Sequence, residues 1–540
     1  MIPSMEQPLT PAMYRLPPEL LLQIARNLCP REPAYKLVHL RNLCQVSKKL
    51  CLIAQEEFYA NAILPISCGC HPTVNAALQL LRTLLERPAL ARNVKVLRLT
   101  VVRRSISTLY CEKRHQRPFD FPTFRELCLA KLTTLGYGAG HPWWASLQHD
   151  VESAYAGLLL CVLPNLQDLQ CTIRELHRGC NVMNSFSALY GTCDPPAALA
   201  VTLKKTLQAL CTPDTNFLRT MHFENLNVLR LPSISILTLL ELNGPNTFWG
   251  TAQLSELYVG LPIRIMDKDS MHEFEVCFRD LLNALGCRTL SILKLRLFNE
   301  GYCVVQDPGL DVQYFVNQLS FVERTLKILE IELNPDEGPQ EWEWILSHCE
   351  NPVSSLMNFA HMESLTIPQG FLFEEEVLVK TLSLQILPKK LQCFTVDSPT
   401  KEFLTFAEGI LKSPDDFHDL RKIILRCRDG PTRALSTFSK IPDPLWQALF
   451  VKCGIRSYAY DVDTKKLKRL GHYDDVLSID GEDFWEDTSD DISSEDDDHD
   501  DEMEDNNNED SDDYDSSMPD LEAVIMQANN QLGTIVDDME

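Results

Sequence analysis

Apolar residues between Arg15 and Ala62 recur at helical spacing in three short blocks. Pro17 and Pro18 precede the first block and suit the first turn of a helix, whereas Pro30 and Pro33 separate it from the second. The blocks consist of Leu16, Leu20, Leu21, Ile24 and Leu28, then Leu37, Leu40, Leu43 and Val46, then Leu50, Ile53, Ala54, Phe58 and Tyr59. Three such short helices bury little apolar surface alone, so the pattern predicts a unit that needs a partner.

Beyond residue 90 an apolar Leu-x-x-Leu-x-Leu triplet takes over and recurs along the chain. Its instances are Val94/Leu97/Leu99, Phe124/Leu127/Leu129, Leu166/Leu169/Cys171, Leu226/Leu229/Leu231, Leu254/Leu257/Val259, Leu290/Leu293/Leu295, Leu326/Leu329/Ile331, Met362/Leu365/Ile367, Leu391/Phe394/Val396 and Leu420/Ile423/Leu425. From Leu254 onward the first positions are 36, 36, 36, 29 and 29 residues apart. This regularity is typical of a repeat architecture.

The alternating half of each triplet predicts a short strand, and helical patterns between triplets predict helices near 274–285, 312–319 and 403–411. One strand and one helix per repeat predict an α/β solenoid over residues 93–470, with parallel strands on a concave face. Residues 63–92 are expected to form a linker with a capping helix. Two longer intervals, of 42 residues after Phe124 and 60 after Leu166, predict loops that project from one face.

The composition changes near residue 474. Residues 474–517 combine Asp, Glu, Ser and Asn with few aliphatic residues, so we expect a disordered acidic tail. Residues 518–537 carry an apolar stripe at helical spacing and predict a short amphipathic helix. Residues 1–13 are expected to be a flexible N-terminus.

The net charge of −26 belongs almost entirely to the end of the chain. Of the 76 acidic residues, 28 lie between Leu470 and Glu540, where there is no Lys or Arg, so the preceding residues hold 48 acids against 50 bases. A body without excess positive charge makes nucleic acid an unsuitable main ligand. The chain also has no apolar run near the 18 residues that a membrane span needs.

The N-terminus lacks a basic region followed by an apolar one, so no secretory signal is predicted. The 19 cysteines are an odd number scattered along the chain, which favours a reducing compartment. We therefore expect residence in the cytoplasm, the nucleus or both; the basic run Lys465–Arg469 does not decide between them.

The N-terminal segment resembles an F-box over residues 14–62. The likeness rests on Leu16-Pro17-Pro18-Glu19-Leu20, on Leu43-Cys44-Gln45-Val46-Ser47-Lys48-Lys49-Leu50 and on the later Phe58-Tyr59. The resemblance implies three helices that bind the Skp adaptor of Skp-cullin-F-box ubiquitin ligases. It places eight residues in or near that interface: Leu16, Pro17, Leu20, Ile24, Leu28, Leu43, Val46 and Leu50. The spacer between the first two helices is several residues longer than is usual in this family.

An F-box followed by degenerate leucine-rich repeats is the order of parts found in substrate-recognition subunits of these ligases. The resemblance thus implies a non-catalytic adaptor that binds the Skp adaptor, and through it cullin, while its repeats bind a protein target. Two alternatives stay open. The three helices are a cap on the end of the repeat array, or the chain is a scaffold outside any ligase that uses its repeats and acidic tail for assembly.

Motifs for catalysis, cofactors or metals are missing from the sequence. It contains no phosphate-binding loop, no Gly-x-Ser-x-Gly elbow and no His-Glu-x-x-His helix. Cys68-Gly69-Cys70-His71 resembles metal ligands, but no second pair of ligands lies nearby, and a loop is the preferred interpretation. No cofactor and no metal are expected.

Two segments are candidates for contact with a target. Tyr137, His141, Trp143 and Trp144 form either an aromatic recognition patch or a group buried against a helix that starts near Val151. Arg103 and Arg104 begin a basic stretch that is either a solvated loop or a contact for acidic ligands, including the chain's own tail.

Overall fold

In the computed structural model of the 540-residue chain, the described residues fall in ranges separated by gaps. The ranges are 16–28, 33–64, 76–102, 120–139, 144, 147–148, 150, 152–174, 225–232, 254–266, 278–279, 282, 287–298, 310–334, 346, 349–372, 386–400, 402–427, 444–462, 466–470 and 476–477. The predicted flexible N-terminus, the cluster at Cys68–His71 and the predicted helix at 518–537 lie outside them.

These residues form ten α-helices and fifteen strands. The helices are α1 Pro18–Arg26, α2 Pro33–Val46, α3 Lys48–Ala60, α4 Ala76–Glu86, α5 Pro88–Ala91, α6 Phe121–Thr134, α7 Glu152–Cys161, α8 Val312–Gln318, α9 Phe403–Lys412 and α10 Pro444–Cys453. The strands are β1 Asn61–Ile63, β2 Val96–Val102, β3 Asp168–Arg174, β4 Val228–Leu231, β5 Glu256–Pro262, β6 Ile292–Phe298, β7 Leu310–Asp311, β8 Ile328–Leu333, β9 Cys349–Asn351, β10 Ser364–Pro368, β11 Cys393–Asp397, β12 Lys422–Cys427, β13 Arg456–Asp461, β14 Lys466–Arg469 and β15 Val476–Leu477.

Thirteen of the strands form one sheet in which spatial order follows chain order, with β7 and β9 set apart as a two-stranded sheet. Pairing is parallel from β1 through β13, and β14 and β15 close the C-terminal edge in antiparallel fashion. The described part of the chain is therefore mixed α/β with a mostly parallel sheet, as the sequence predicts at that level.

The second positions of nine predicted triplets lie side by side across this sheet. They are Leu97, Leu169, Leu229, Leu257, Leu293, Leu329, Leu365, Phe394 and Ile423. All nine are buried, and they belong to one core between the sheet and the helices. Each such burial contributes about 1.5–3 kcal/mol to stability. The strand prediction is confirmed for these triplets.

The strand prediction is wrong for the tenth triplet, Phe124/Leu127/Leu129, because this triplet lies within α6. Asp120 starts that helix, since its carboxylate accepts a hydrogen bond from the Thr123 backbone N–H at 3.1 Å. The buried residues Phe124, Cys128 and Leu132 then follow at the four-residue spacing of a helix face. A triplet begins with a three-residue step that a helix also satisfies, so the triplet alone does not distinguish a strand from a helix.

Two further helix predictions are confirmed. The helix expected at 312–319 is α8, and the one expected at 403–411 is α9. In the third predicted stretch, 274–285, the described residues 278, 279 and 282 are helical.

Both ends of the sheet contain strands that the triplet pattern misses. At the N-terminal end β1 follows α3 directly and pairs with β2, so the sheet begins inside the segment that resembles an F-box. At the C-terminal end β13, β14 and β15 lack the triplet. β15 also corrects the predicted start of the disordered tail, because Val476 and Leu477 pair with β14. These two aliphatic residues precede the run of acidic residues.

No helix within the described ranges combines the length and the apolar character needed to cross a bilayer.

Candidate functional site

The three N-terminal helices form a small unit with its own core. Six residues from all three helices are buried together: Leu21, Ala25, Leu40, Leu50, Ile53 and Ala54. The unit is joined to the sheet through Phe58, which packs against both this core and the main core. The neighbouring Tyr59 is buried in the main core, with its ring centroid 5.5 Å from that of Phe58.

Local sequence signals explain where these helices start. Pro17 precedes α1 and Pro18 occupies its first turn, with Glu19 near the N-terminus and Arg26 in the last turn. Those charges match the helix dipole. Ser47 separates α2 from α3, because its hydroxyl accepts a hydrogen bond from the Leu50 backbone N–H at 3.2 Å.

Two contacts fix α1 alongside α3. The Lys49 ammonium donates to the Leu16 carbonyl at 3.0 Å, and the Arg26 guanidinium donates to Glu57 at 3.3 Å. Since the first contact joins the starts of the two helices and the second joins their later turns, α1 and α3 run in the same direction. The contact between Lys49 and Leu16 also brings the turn after Val46 to the start of α1.

Several large apolar side chains on this unit face solvent. We call Leu20, Ile24 and Val46 the apolar patch; their exposed fractions are 46%, 39% and 62%. Leu20 and Ile24 are one turn apart on α1, and Val46 is the last residue of α2. Leu52 on α3 is 64% exposed. Elsewhere in the described ranges, the exposed large hydrophobic residues are Phe450 and Val451. Exposed apolar side chains are thus concentrated on the three-helix unit.

The eight residues expected at the adaptor interface fall into three groups. Pro17, Leu20, Ile24 and Val46 are exposed, whereas Leu16, Leu28 and Leu43 are half-buried against the three-helix core. Leu50 is only 1% exposed, so here it holds the helices together and does not present a surface. Sequence reasoning missed Leu52. Its position two residues after Leu50 indicates the opposite face of α3.

For the segment that contains Tyr137, His141, Trp143 and Trp144, the described residues support the alternative of burial. Tyr137 and Trp144 are half-buried and pack against the main core. Burial raises the pKa of the Tyr137 hydroxyl above its usual range, with a further contribution from Cys161 at the end of α7. This placement matches the alternative in which the aromatic residues pack against the helix that follows residue 151. His141, Trp143, Arg103 and Arg104 lie outside the described residues.

A buried ionic cluster joins the two helices that flank this segment. Arg125 on α6 donates to both oxygens of Asp150, through its Nε at 2.9 Å and its second guanidinium nitrogen. The Tyr155 hydroxyl on α7 donates to Asp150 Oδ1 at 2.8 Å. Burial, followed by the nearby Asp150 charge, raises the pKa of Tyr155. With three donors on one carboxylate, this cluster is suited to structural support.

The face of the sheet opposite the main core carries polar residues between the triplet positions; we call it the polar face. Arg230 pairs with Asp168 at 2.6 Å, and Lys294 pairs with Glu330 at 3.1 Å. Between these pairs, the Tyr258 ring has the Arg230 guanidinium 4.8 Å from its centroid and the Lys294 ammonium 5.2 Å away. Aromatic and cationic groups of this kind are typical of recognition surfaces.

The Arg426 guanidinium on β12 reaches Glu332 on β8. Two strands lie between them, so in a flat sheet the two backbones would be about 14 Å apart. The two side chains thus bridge the polar face directly. No group of three or more potential metal ligands occurs within the part of the chain that the structure describes.

Comparison with known proteins does not add a family to this picture. No protein-family model matches the chain, and no curated protein matches it significantly.

Proposed function

We propose that this chain is a non-catalytic substrate-recognition subunit of a Skp-cullin-F-box ubiquitin ligase. The three N-terminal helices bind the Skp adaptor, and the sheet region holds a protein target. Ubiquitin transfer then follows from proximity, because tethering raises the effective concentration of target lysines near the conjugating enzyme. Catalysis belongs to the other subunits.

The observation that supports this proposal most directly is the exposure of Leu20, Ile24 and Val46. A three-helix cap on the repeat array would be expected to bury such side chains beneath the sheet or its helices. The unit instead buries Leu21 and Ala25 and leaves the neighbouring Leu20 and Ile24 in solvent. Large exposed apolar side chains that are concentrated on one small unit are a feature of protein-binding surfaces.

We further propose that the sheet region is a degenerate leucine-rich-repeat solenoid. Its support is the parallel pairing in chain order, with triplets 36 residues apart from Leu254 to Met362 standing in register. The bridge from Arg426 to Glu332 fits a polar face that curves inward, since curvature shortens the path between nonadjacent strands. The proposed surface for a target is this face, with Arg230, Tyr258 and Lys294 near its middle.

Isothermal titration calorimetry with purified Skp adaptor tests the first proposal. Leu20→Asp combined with Val46→Asp should weaken binding by at least about 100-fold, because two central apolar contacts would be replaced by charges. The matched control is Phe450→Asp combined with Val451→Asp, which places the same charges on the other exposed apolar pair and should leave affinity unchanged. Full-strength binding by the first variant contradicts the assignment of the apolar patch.

Immunoprecipitation from cells separates the ligase subunit from a scaffold. The wild-type chain should bring down adaptor and cullin together, and the variant with Leu20→Asp and Val46→Asp should lose both while it retains target proteins. If wild type retains its target but brings down no cullin, the chain is a scaffold.

A further inference from the structure

The arrangement of charges changes along the polar face. In the middle of the sheet, oppositely charged residues lie directly across neighbouring strands, as Lys294 on β6 does from Glu330 on β8, and Arg296 from Glu332. Such pairs stabilise a sheet. Strands β6 and β8 together carry two basic and two acidic residues, so this region is electrically balanced.

At the C-terminal end of the sheet, residues of like charge are neighbours. Lys422 on β12 lies directly across from Arg456 on β13, and Arg456 is exposed. The Lys422 ammonium is also 5.3 Å from the centroid of the Tyr458 ring. Strands β12, β13 and β14 contain six Lys or Arg residues, of which Arg426 pairs with Glu332, and a single acid, Asp461, which is buried. Like charges across two strands repel, and a bound anionic group would remove that repulsion.

The part of the chain that follows has the complementary charge. Leu477 on β15 pairs with Leu467 on β14, which places the end of the described chain one strand from β14 and two from β13. Residues 478–540 contain 26 acidic residues and no Lys or Arg. Forty residues would span roughly 35 Å if they behaved as a flexible coil, which exceeds the roughly 14 Å of the three strand spacings from β15 to β12. Because it is tethered, its effective concentration there is on the order of millimolar.

We propose that the acidic segment 478–517 binds within the same molecule to the basic end of the sheet, defined as Lys422, Arg456 and Arg469, which lie on the polar face by their strand pairing. The contact is electrostatic, and it covers the C-terminal part of the polar face. The affinity of the acidic segment for the sheet therefore falls as the salt concentration rises, because the Debye length falls from about 14 Å at 50 mM to about 4 Å at 500 mM. This inference does not depend on the ligase proposal, since neither adaptor nor target takes part.

Photocross-linking in the full chain tests the contact. A photoreactive benzoylphenylalanine in place of Phe484 should cross-link to peptides that contain residues 421–427, 456–461 and 466–470. Arg456→Glu combined with Arg469→Glu should lower those yields by about five-fold or more. The matched control is Arg288→Glu combined with Arg324→Glu, two exposed arginines elsewhere in the chain, and it should leave the yields unchanged.

Two additional measurements keep the result interpretable. Raising the salt from about 50 mM to about 500 mM should reduce the same cross-links in the chain that carries the photoreactive residue but no charge reversal. Mixing with isotopically heavy chain should give no mixed light–heavy products. Mixed products would show that the tail binds a second copy. Cross-links that are spread over the sheet, or that are insensitive to both salt and charge reversal, would overturn the proposal.

Discussion

Leu20 and Leu21 are consecutive residues of α1, yet the first is 46% exposed and the second only 1%. Leu21 belongs to the core of the three-helix unit, whereas Leu20 belongs to the apolar patch. Two adjacent leucines therefore have different roles: Leu21 stabilises the fold of the unit, and Leu20 is available to a partner.

The same substitution at these two positions should affect the stability of the three-helix unit to very different extents. Leu20→Asp should change the free energy of unfolding by less than about 1 kcal/mol, because the site is open to solvent. Leu21→Asp should prevent the three helices from packing, since it buries a charge without a partner. Hydrogen exchange of residues 18–60 measures both effects. Equal loss of protection in the two variants would show that Leu20 is part of the core.

The carboxylate of Asp150 should be the most sensitive point in the contact between α6 and α7. Asp150→Ala leaves Arg125 and the buried Tyr155 hydroxyl without their acceptor, so we expect a cost of about 3–5 kcal/mol. Tyr155→Phe removes one donor and should cost about 1 kcal/mol.

The backbone at Asp150 adds a third variant to that series. Its φ of 52° lies in the left-handed region, which Asn tolerates. The free energy of unfolding of Asp150→Asn should therefore lie between those of Asp150→Ala and Tyr155→Phe. Denaturant midpoints give the order, and a Tyr155→Phe variant as unstable as Asp150→Ala would contradict the central role of the carboxylate.

Tyr59 should make stability fall at alkaline pH. Burial, partly opposed by Arg87, raises the pKa of its hydroxyl from 10.0 to about 12. Between those values the folded state keeps a proton that the unfolded state has lost, so stability declines as pH rises from about 10 to about 12.

Replacing Tyr59 with Phe removes that proton difference. The decline in unfolding free energy between pH 10 and 12 should become shallower by up to about 1.4 kcal/mol per pH unit. Urea titrations at several alkaline pH values measure the slope. An unchanged slope would mean that Tyr59 ionises equally well in the folded protein.

Removing the N-terminal cap of α3 should lower the stability of the protein by a smaller amount than the loss of Asp150. Ser47→Ala removes the hydroxyl that accepts from the Leu50 N–H and should cost about 1 kcal/mol. Ser47→Asp retains an acceptor and should restore most of that stability. The thermal midpoint of the two variants is the readout, and equal destabilisation by both would argue against a capping role.

The strands of the sheet were the most predictable part of the fold. Residues such as Leu293 and Leu295 alternate with polar neighbours, and a half-buried strand imposes that alternation on any sequence. The same logic failed at Phe124, where Asp120 starts a helix, and it missed β13, where the buried Ser457 replaces a leucine.

The sequence was sufficient to locate the candidate site in the three N-terminal helices, but not to predict which of their side chains are exposed. The resemblance to an F-box implies that Leu20 and Leu50 lie at the same interface. The structure places Leu50 inside the three-helix core and Leu20 outside it.

The sequence by itself determined the three N-terminal helices, the spacing of the strands and the separation of a balanced body from an acidic end, since these follow from local periodicity and charge. Only the tertiary structure decided which leucines of those helices remain exposed and that like charges become neighbours on β12 and β13. Those relationships depend on how distant segments pack, and each helix or strand presents several faces that the linear pattern does not distinguish.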